Sequence, residues 1–501
     1  MWTTLPLELE LWQLLLGAAL VLLVYLLYVR KYGKYSNLPP RVPGLPFFGN
    51  AFQIRGPEYL HLHLTEFGKT HGDLFTVTLF GQHFVSINSG ELLSNMMSGD
   101  FFPTKNAISY VNKRLRYECD GVGLCETSYK QRQLRLTVMR ALSACESQET
   151  LLEGEALKLV KNLLKHERKS VPVSHEVKKS IASVLTVSLL GKQYNEKDLE
   201  EMLAFGDMLD VIISPGFGAE LDYVPFLRWF PVRSIKYIQA AEKLRSKYVD
   251  QEFEKAKASF DPEKVQCMVH RLIELMQRKQ SVIPDITDRT IKGVMLDMYA
   301  AGWSTTSALL NAFILTLLHK PEEQQRLQEE VDSVVGPSKV PNVKDRDKMP
   351  YIQAFIAEGL RLFSVGTVGK RSAGRDVQYH GYYIPKGTNV LYNVWAANHD
   401  CKVFDEPWSF KADRYLDDEG RLLRPSHLIW KRSLPFGEGK RSCLGQAFAR
   451  DRLFIYMATL MQRLSFSPPE GAPLPSYDPR TFEPALVVCL HPFMARVIPR
   501  G

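Results

Sequence analysis

The chain's patterning predicts a mainly α fold with a minor β-sheet region, in a single large body behind an N-terminal transmembrane helix. Three observations carry that expectation. Apolar residues recur at helical spacing through most of the sequence, as in residues 322–335 and 351–362. Strict alternation is brief, confined to Leu74-Phe75-Thr76-Val77-Thr78-Leu79, to Tyr383-Ile384 and to residues 389–391, which reads as short strands. After residue 50 no internal repeat, low-complexity tract or long Gly/Ser stretch marks a second independent unit. The 501 residues, 45% hydrophobic and 24% charged, suffice for a large buried core and exclude a disordered or collagen-like chain.

The first element is a run from Leu11 to Val29 without a charge, rich in Leu, Val and Ala and interrupted by Gln13 and Gly17, long enough to span a bilayer as a helix. Glu8 and Glu10 precede it, whereas Arg30, Lys31, Lys34 and Arg41 follow it. A cleaved signal peptide has its basic residues before the apolar core and a small-residue cleavage site after it, so this order predicts an uncleaved single-pass anchor over residues 1–35 with the rest in the cytosol. Pro39, Pro40, Pro43 and Pro46 each fix φ, so residues 36–50 read as a stiff extended hinge ahead of a body spanning 51–501. The seven cysteines are odd in number and scattered, and no pair has zinc-site spacing, which suits reduced, cytosol-facing thiols. Sixty-three Lys and Arg against 55 Asp and Glu leave a net charge of +8, which favours acidic membranes and acidic partner surfaces. No nucleic acid partner is expected.

The chemistry lies in the last third. In Phe436-Gly437-Glu438-Gly439-Lys440-Arg441-Ser442-Cys443-Leu444-Gly445 a cysteine sits on a glycine-bracketed loop ahead of a helical pattern over 446–464. Backbone N–H groups and the positive end of a helix stabilise a thiolate there, and glycines let backbone approach a flat ligand. Such a thiolate suits axial ligation of haem iron. A phosphate loop is a poorer reading, because Arg441 rather than Ser or Thr follows Lys440 and no glycine stands at Leu434. A small buried core cysteine is the plainer alternative.

The spacing F-x-x-G-x-R-x-C-x-G, met by chance about once in 10⁴ chains of this length, resembles the cytochrome P-450 family of haem-thiolate monooxygenases. The resemblance implies heme b held through its iron by Cys443, with Phe436, Gly439 and Arg441 in the binding loop. Further family motifs follow in order. Glu358-Gly359-Leu360-Arg361 matches E-x-x-R, and Phe410-Lys411-Ala412-Asp413-Arg414-Tyr415 resembles the PERF segment, which implies a buried triad of Glu358, Arg361 and Arg414. Arg371 falls where the family places a cation on a haem propionate, and an arginine fork suits a carboxylate. Ala301-Gly302-Trp303-Ser304-Thr305-Thr306, in an apolar helical run over 291–318, matches the oxygen-side stretch. There Ala301 implies room for dioxygen and Thr305 implies proton delivery, although Ser and Thr in a long helix also bond back to the carbonyl one turn earlier.

Two departures stand out. Ser304 replaces the acid that usually precedes the threonine, and a neutral hydroxyl passes protons only along a chain of donors. Tyr129 and Gln133 stand where the family has W-x-x-x-R, which leaves Arg132 or Arg135 as the propionate contact.

The resemblance is closest to the microsomal branch. It implies a location in the endoplasmic reticulum membrane, electrons from NADPH through a separate NADPH–cytochrome P-450 reductase, and cytochrome b5 as a second donor. Lys130, Arg132, Arg135, Lys431, Arg432 and Lys440 offer a basic face for an acidic reductase. Gly216-Phe217-Gly218 lacks the third glycine of a dinucleotide site, so no reductase is fused. The implied substrate pocket, from 102–123, 203–230, Met298, Ala301, 365–368 and 482–486, is largely apolar, which predicts a lipophilic small-molecule substrate: a steroid, fatty acid or xenobiotic. A haem-thiolate isomerase or dehydratase acting on a lipid peroxide, and a non-catalytic haem protein, are the alternatives.

Overall fold

The computed structural model describes residues 37–500 apart from 55, 100, 103–108, 124–127, 144–147, 166–169, 215, 278–285, 472 and 485–486, together with 16, 17, 19 and 22. The expected transmembrane anchor therefore lies almost wholly outside the described residues, as do parts of three predicted pocket segments. Among the described residues, the one helical stretch long and apolar enough to cross a membrane is Asp288–His319, and its most apolar part is mostly buried in the core.

The fold is mainly helical, as expected. The periodic segments become the helices Pro321–Val334, Pro350–Phe363 and Gln446–Arg463, each within about a residue of the predicted bounds. Proline at the first position starts two of them, where its missing N–H costs nothing. The Glu196–Ile213 helix is capped by the Asn195 side chain, and the Val173–Leu190 helix ends at Gly191 in the left-handed conformation. These helices share one large core with Asp288–Gly302 and Ser304–His319.

Among the described residues, nine strands form three small sheets: β1 (Leu74–Leu79), β2 (Gln82–Ile87), β3 (Ser170–Val171), β4 (Val368–Ser372), β5 (Val377–Tyr379), β6 (Tyr382–Ile384), β7 (Asn389–Asn393), β8 (Leu464–Ser467) and β9 (Ala495–Pro499). The largest runs β1-β2-β7-β4, with β2 and β7 parallel and the other pairs antiparallel. Arg371 pairs with Val390 in this sheet, which fixes the residue on a rigid element. The proline-rich stretch lies along β1: Thr76 N–H donates to Pro40 O at 2.8 Å and Val42 N–H to Thr76 O at 2.9 Å. Its stiffness thus serves to extend the sheet's edge.

One element departs from its sequence pattern. The apolar run over 291–318 predicts a single helix, but the chain breaks at Trp303 into Asp288–Gly302 and Ser304–His319. Gly302 O leaves the helical ladder to accept from Arg452 Nη1 at 2.9 Å, and a cation reaching into the ladder from outside is a recognised cause of such kinks.

Candidate functional site

The loop that carries Cys443 is shaped by its neighbours. Gly437 and Gly439 both hold positive φ, at 63° and 71°. A Cβ on Gly439 would stand 2.1 Å from Met97 O, so glycine here is required by the close approach of the Gly90–Ser98 helix as well as by the turn. Cys443 N–H donates to Phe436 O at 2.7 Å, which closes the loop and leaves the Cys443 side chain exposed three residues before the Gln446–Arg463 helix. Phe436 is half-buried beneath the Arg450 guanidinium, 5.2 Å from its ring centre. A cavity of about 530 Å³ beside the loop is lined by Ala357, Leu360, Trp430, Phe436 and Arg450 together with Gly439 and Ser442 of the loop itself.

Three arginines from three elements converge beside the loop. Arg371, on β4, is 5% exposed and donates from Nη2 to Arg441 O at 3.3 Å, while its Nη1 is buried with no partner. Arg135, on the Tyr129–Ser143 helix, donates to Ser442 Oγ at 3.3 Å. Burial foremost, and the like charges of Arg441 and Arg135, make the cationic form of Arg371 less favourable than usual. A buried guanidinium facing two others with an unused donor is a site for an acidic group. Haem, with two propionates beside an iron that accepts a thiolate, fits these residues: Cys443 to the iron, and Arg371, Arg441 and Arg135 to the carboxylates. Of the two candidates on the Tyr129–Ser143 helix, Arg135 reaches this cluster; Arg132 is exposed on the helix surface.

Arg452, on the helix that follows the loop, holds the kinked helix. It is 3% exposed, its guanidinium holds Gly302 O, and Cys443 is close enough to favour its charge, although burial pushes it down to about 10. Around the break, Ala301 is exposed beside the buried Tyr299 and Ala300, and Thr305 is half-buried, its Oγ1 donating to Ala301 O at 2.9 Å. That is the back-bond one turn earlier foreseen as the plain alternative. Ser304, 3% exposed, lies about 100° further round the helix.

The triad forms beneath. Arg361 makes a two-pronged pair with Glu358 at 2.7 Å in each contact, Arg414 reaches the same carboxylate at 3.2 Å, and the Glu358 and Arg361 side chains are wholly buried. Arg361 Nη1 also donates to Asn398 O and Pro407 O, each at 2.8 Å, which leaves little of this charge unsatisfied.

Three residues escaped the sequence reading. Asp297 accepts from Arg116 at 2.9 Å and from the backbone N–H of Val122 and Gly123, and so pins the 116–123 loop to the helix. A lone acid in an apolar helical run needs such partners, and that signal was available. Arg452 carried no distinguishing pattern. Asp210, on the Glu196–Ile213 helix, lies against Ser304 across the helix crossing.

The model of the family described as Cytochrome P450 matches residues 39–491. The chain is 27% identical over 466 residues to a steroid 17-alpha-hydroxylase/17,20 lyase of Gallus gallus, covering 89% of each chain. It is 28% identical over 486 residues to Cytochrome P450 1A3 of Oncorhynchus mykiss, covering 91% of each. With the thiolate loop, the arginine cluster and the kinked helix in the family's order, the chain belongs to the cytochrome P450 family of haem-thiolate monooxygenases, and it is an oxidoreductase.

Proposed function

We propose that the chain is a single-pass protein of the endoplasmic reticulum membrane, anchored by residues 1–35, that inserts one atom of O2 into a lipophilic substrate with a steroid-like frame. The other oxygen atom leaves as water, with two electrons from NADPH through a separate reductase, or cytochrome b5, and two protons. The observation that carries this reading is the bond to Gly302 O, within the Ala301–Thr305 turn, from Arg452 on the helix that directly follows the Cys443 loop. Bound haem supplies the thiolate-ligated iron at which O–O cleavage is favoured. Cys443 holds the iron, and Arg371, Arg441 and Arg135 hold the acidic edge. Ala301 leaves space above it, and the Thr305 hydroxyl offers a proton site at that face.

The steroid-like frame is supported by the likeness to steroid 17-alpha-hydroxylases. Membrane contact is supported by two exposed aromatic sets, Phe47, Phe48, Phe52 and Phe80 near the N-terminal segment, and Phe226, Trp229 and Phe230, with Trp229 85% exposed. Reductase docking is supported by the basic residues on the outer face of the loop, where Lys440, Lys431 and Arg132 are exposed. Ser304 in place of an acid favours a second reading, an isomerase or dehydratase that rearranges a lipid peroxide without a reductase.

A carbon monoxide difference spectrum of the membrane-bound full chain, with NADPH and reductase as the sole electron source, tests the proposal, followed by product analysis on a steroid panel. A red-shifted thiolate-type band and a hydroxylated product are expected. A band only with chemical reductant would overturn the reductase dependence, and turnover of a lipid peroxide without NADPH would select the second reading.

A further inference from the structure

The Glu196–Ile213 helix crosses the kinked helix at its break. Gly206 packs directly on Trp303, so closely that a Cβ there would stand 1.6 Å from the indole. One turn on, along the same face, is Asp210, and one residue past Trp303 is Ser304. The Asp210 carboxyl and the Ser304 hydroxyl face each other, and both Asp210 Oδ1 and Ser304 Oγ are buried without a partner of good hydrogen-bond geometry. Two buried polar atoms left without partners where two helices cross are costly unless the pair has work to do.

We propose that Asp210 supplies, through Ser304, the proton that an acid beside Thr305 would otherwise supply. This rests on the monooxygenase reading, whose stoichiometry consumes two protons. Asp210 gives its proton to Ser304 Oγ as the hydroxyl's own proton passes to Thr305 Oγ1, whose proton in turn goes to the oxygen atom that leaves as water. The serine ends unchanged, and the carboxylate regains a proton from the edge where Lys178 and Asp207 meet solvent.

The surroundings suit that role. The groups that face Asp210 are Ser304, Lys178 of the Val173–Leu190 helix, Asp207 one turn back, and Cys489 from the C-terminal loop. Lys178 is engaged by Asp207 in an ion pair, so it favours the Asp210 carboxylate only weakly. Burial dominates and pushes Asp210 up to about 7, where a carboxyl both holds and releases a proton near neutral pH. The acid missing from the sequence position beside Thr305 has in effect moved to a neighbouring helix.

The test uses the full-length holoprotein in membranes with reductase. Asp210→Asn should keep the thiolate-type carbon monoxide band yet lower the ratio of product to NADPH consumed by about tenfold, the lost electrons appearing as hydrogen peroxide. Adding Ser304→Asp to Asp210→Asn, which restores an acid at the other end of the pair, should recover most of the coupling. In carboxyl-region infrared spectra, a band absent from Asp210→Asn should titrate near pH 7 and shift in Ser304→Ala. Unchanged coupling in Asp210→Asn, a loss that Ser304→Asp fails to rescue, or a band indifferent to Ser304 would each overturn the proposal. Loss of the thiolate-type band in the parent protein would instead overturn the reading on which it rests.

Discussion

Cys443 and Arg371, the residues proposed to hold one bound group, are positioned in different ways. The cysteine backbone closes the loop through its N–H on Phe436 O, and its side chain is exposed. Cys443→Ala should therefore leave the fold intact, with an unchanged thermal midpoint of the apoprotein, and abolish the thiolate-type band. Arg371 is buried on a strand with a donor to spare. Arg371→Ala removes about 1.5–3 kcal/mol of charge-assisted bonding to an acidic group, so haem should pass to an excess acceptor protein about tenfold faster or more. Arg371→Lys should recover only part of this, because the ammonium cannot reproduce the fork.

At the scale of elements, the triad and the helix crossing carry the strain of polar groups in the core. Glu358 is the one carboxylate between Arg361 and Arg414, and it also accepts from Lys411 N–H at 3.1 Å. Glu358→Gln leaves two buried guanidinium groups without a countercharge, a loss of about 3–5 kcal/mol. The urea midpoint should fall accordingly even in haem-free protein. Gly206 presents the steric counterpart: Gly206→Ala must push the Trp303 indole off the Glu196–Ile213 helix. That shift should separate Asp210 from Ser304, so coupling should fall along with stability while the thiolate-type band persists.

For the whole molecule, buried titratable groups set opposing slopes of stability against pH. Asp210, raised to about 7 from 3.8, binds a proton in the folded chain across a window in which the unfolded chain has released it, so its contribution declines as pH rises from about 4 to 7. Asp210→Asn should thus gain on the parent by up to about 4 kcal/mol at pH 8 and nothing below pH 4. Burial lowers His61 and His83 to about 4, so the unfolded chain takes up protons first as pH falls below 6.5 and stability drops on the acid side. Urea titrations of parent and Asp210→Asn between pH 4.5 and 8 check both slopes.

The sequence by itself determined the family, the mainly helical fold and the thiolate loop. In each case the informative residues lie close together in the chain: five positions within the ten from Phe436 to Gly445, two on one face of the Pro350–Phe363 helix, and apolar periods within single elements. Local spacing is what a linear pattern records. Arg371 was legible by its order among the motifs, but its orphaned donor was not. That Arg135 and not Arg132 bonds Ser442 turned on which side of one helix faces the loop, and only packing settles the rotation of a helix. The kink at Trp303 needed Arg452, 150 residues away, to draw off a carbonyl that propensity would have left in the ladder. The pairing of Asp210 with Ser304 needed two helices to cross at a glycine. Such contacts join parts of the chain whose separation no local pattern encodes, and the tertiary structure decided them because close packing fixes which side chains share a buried space.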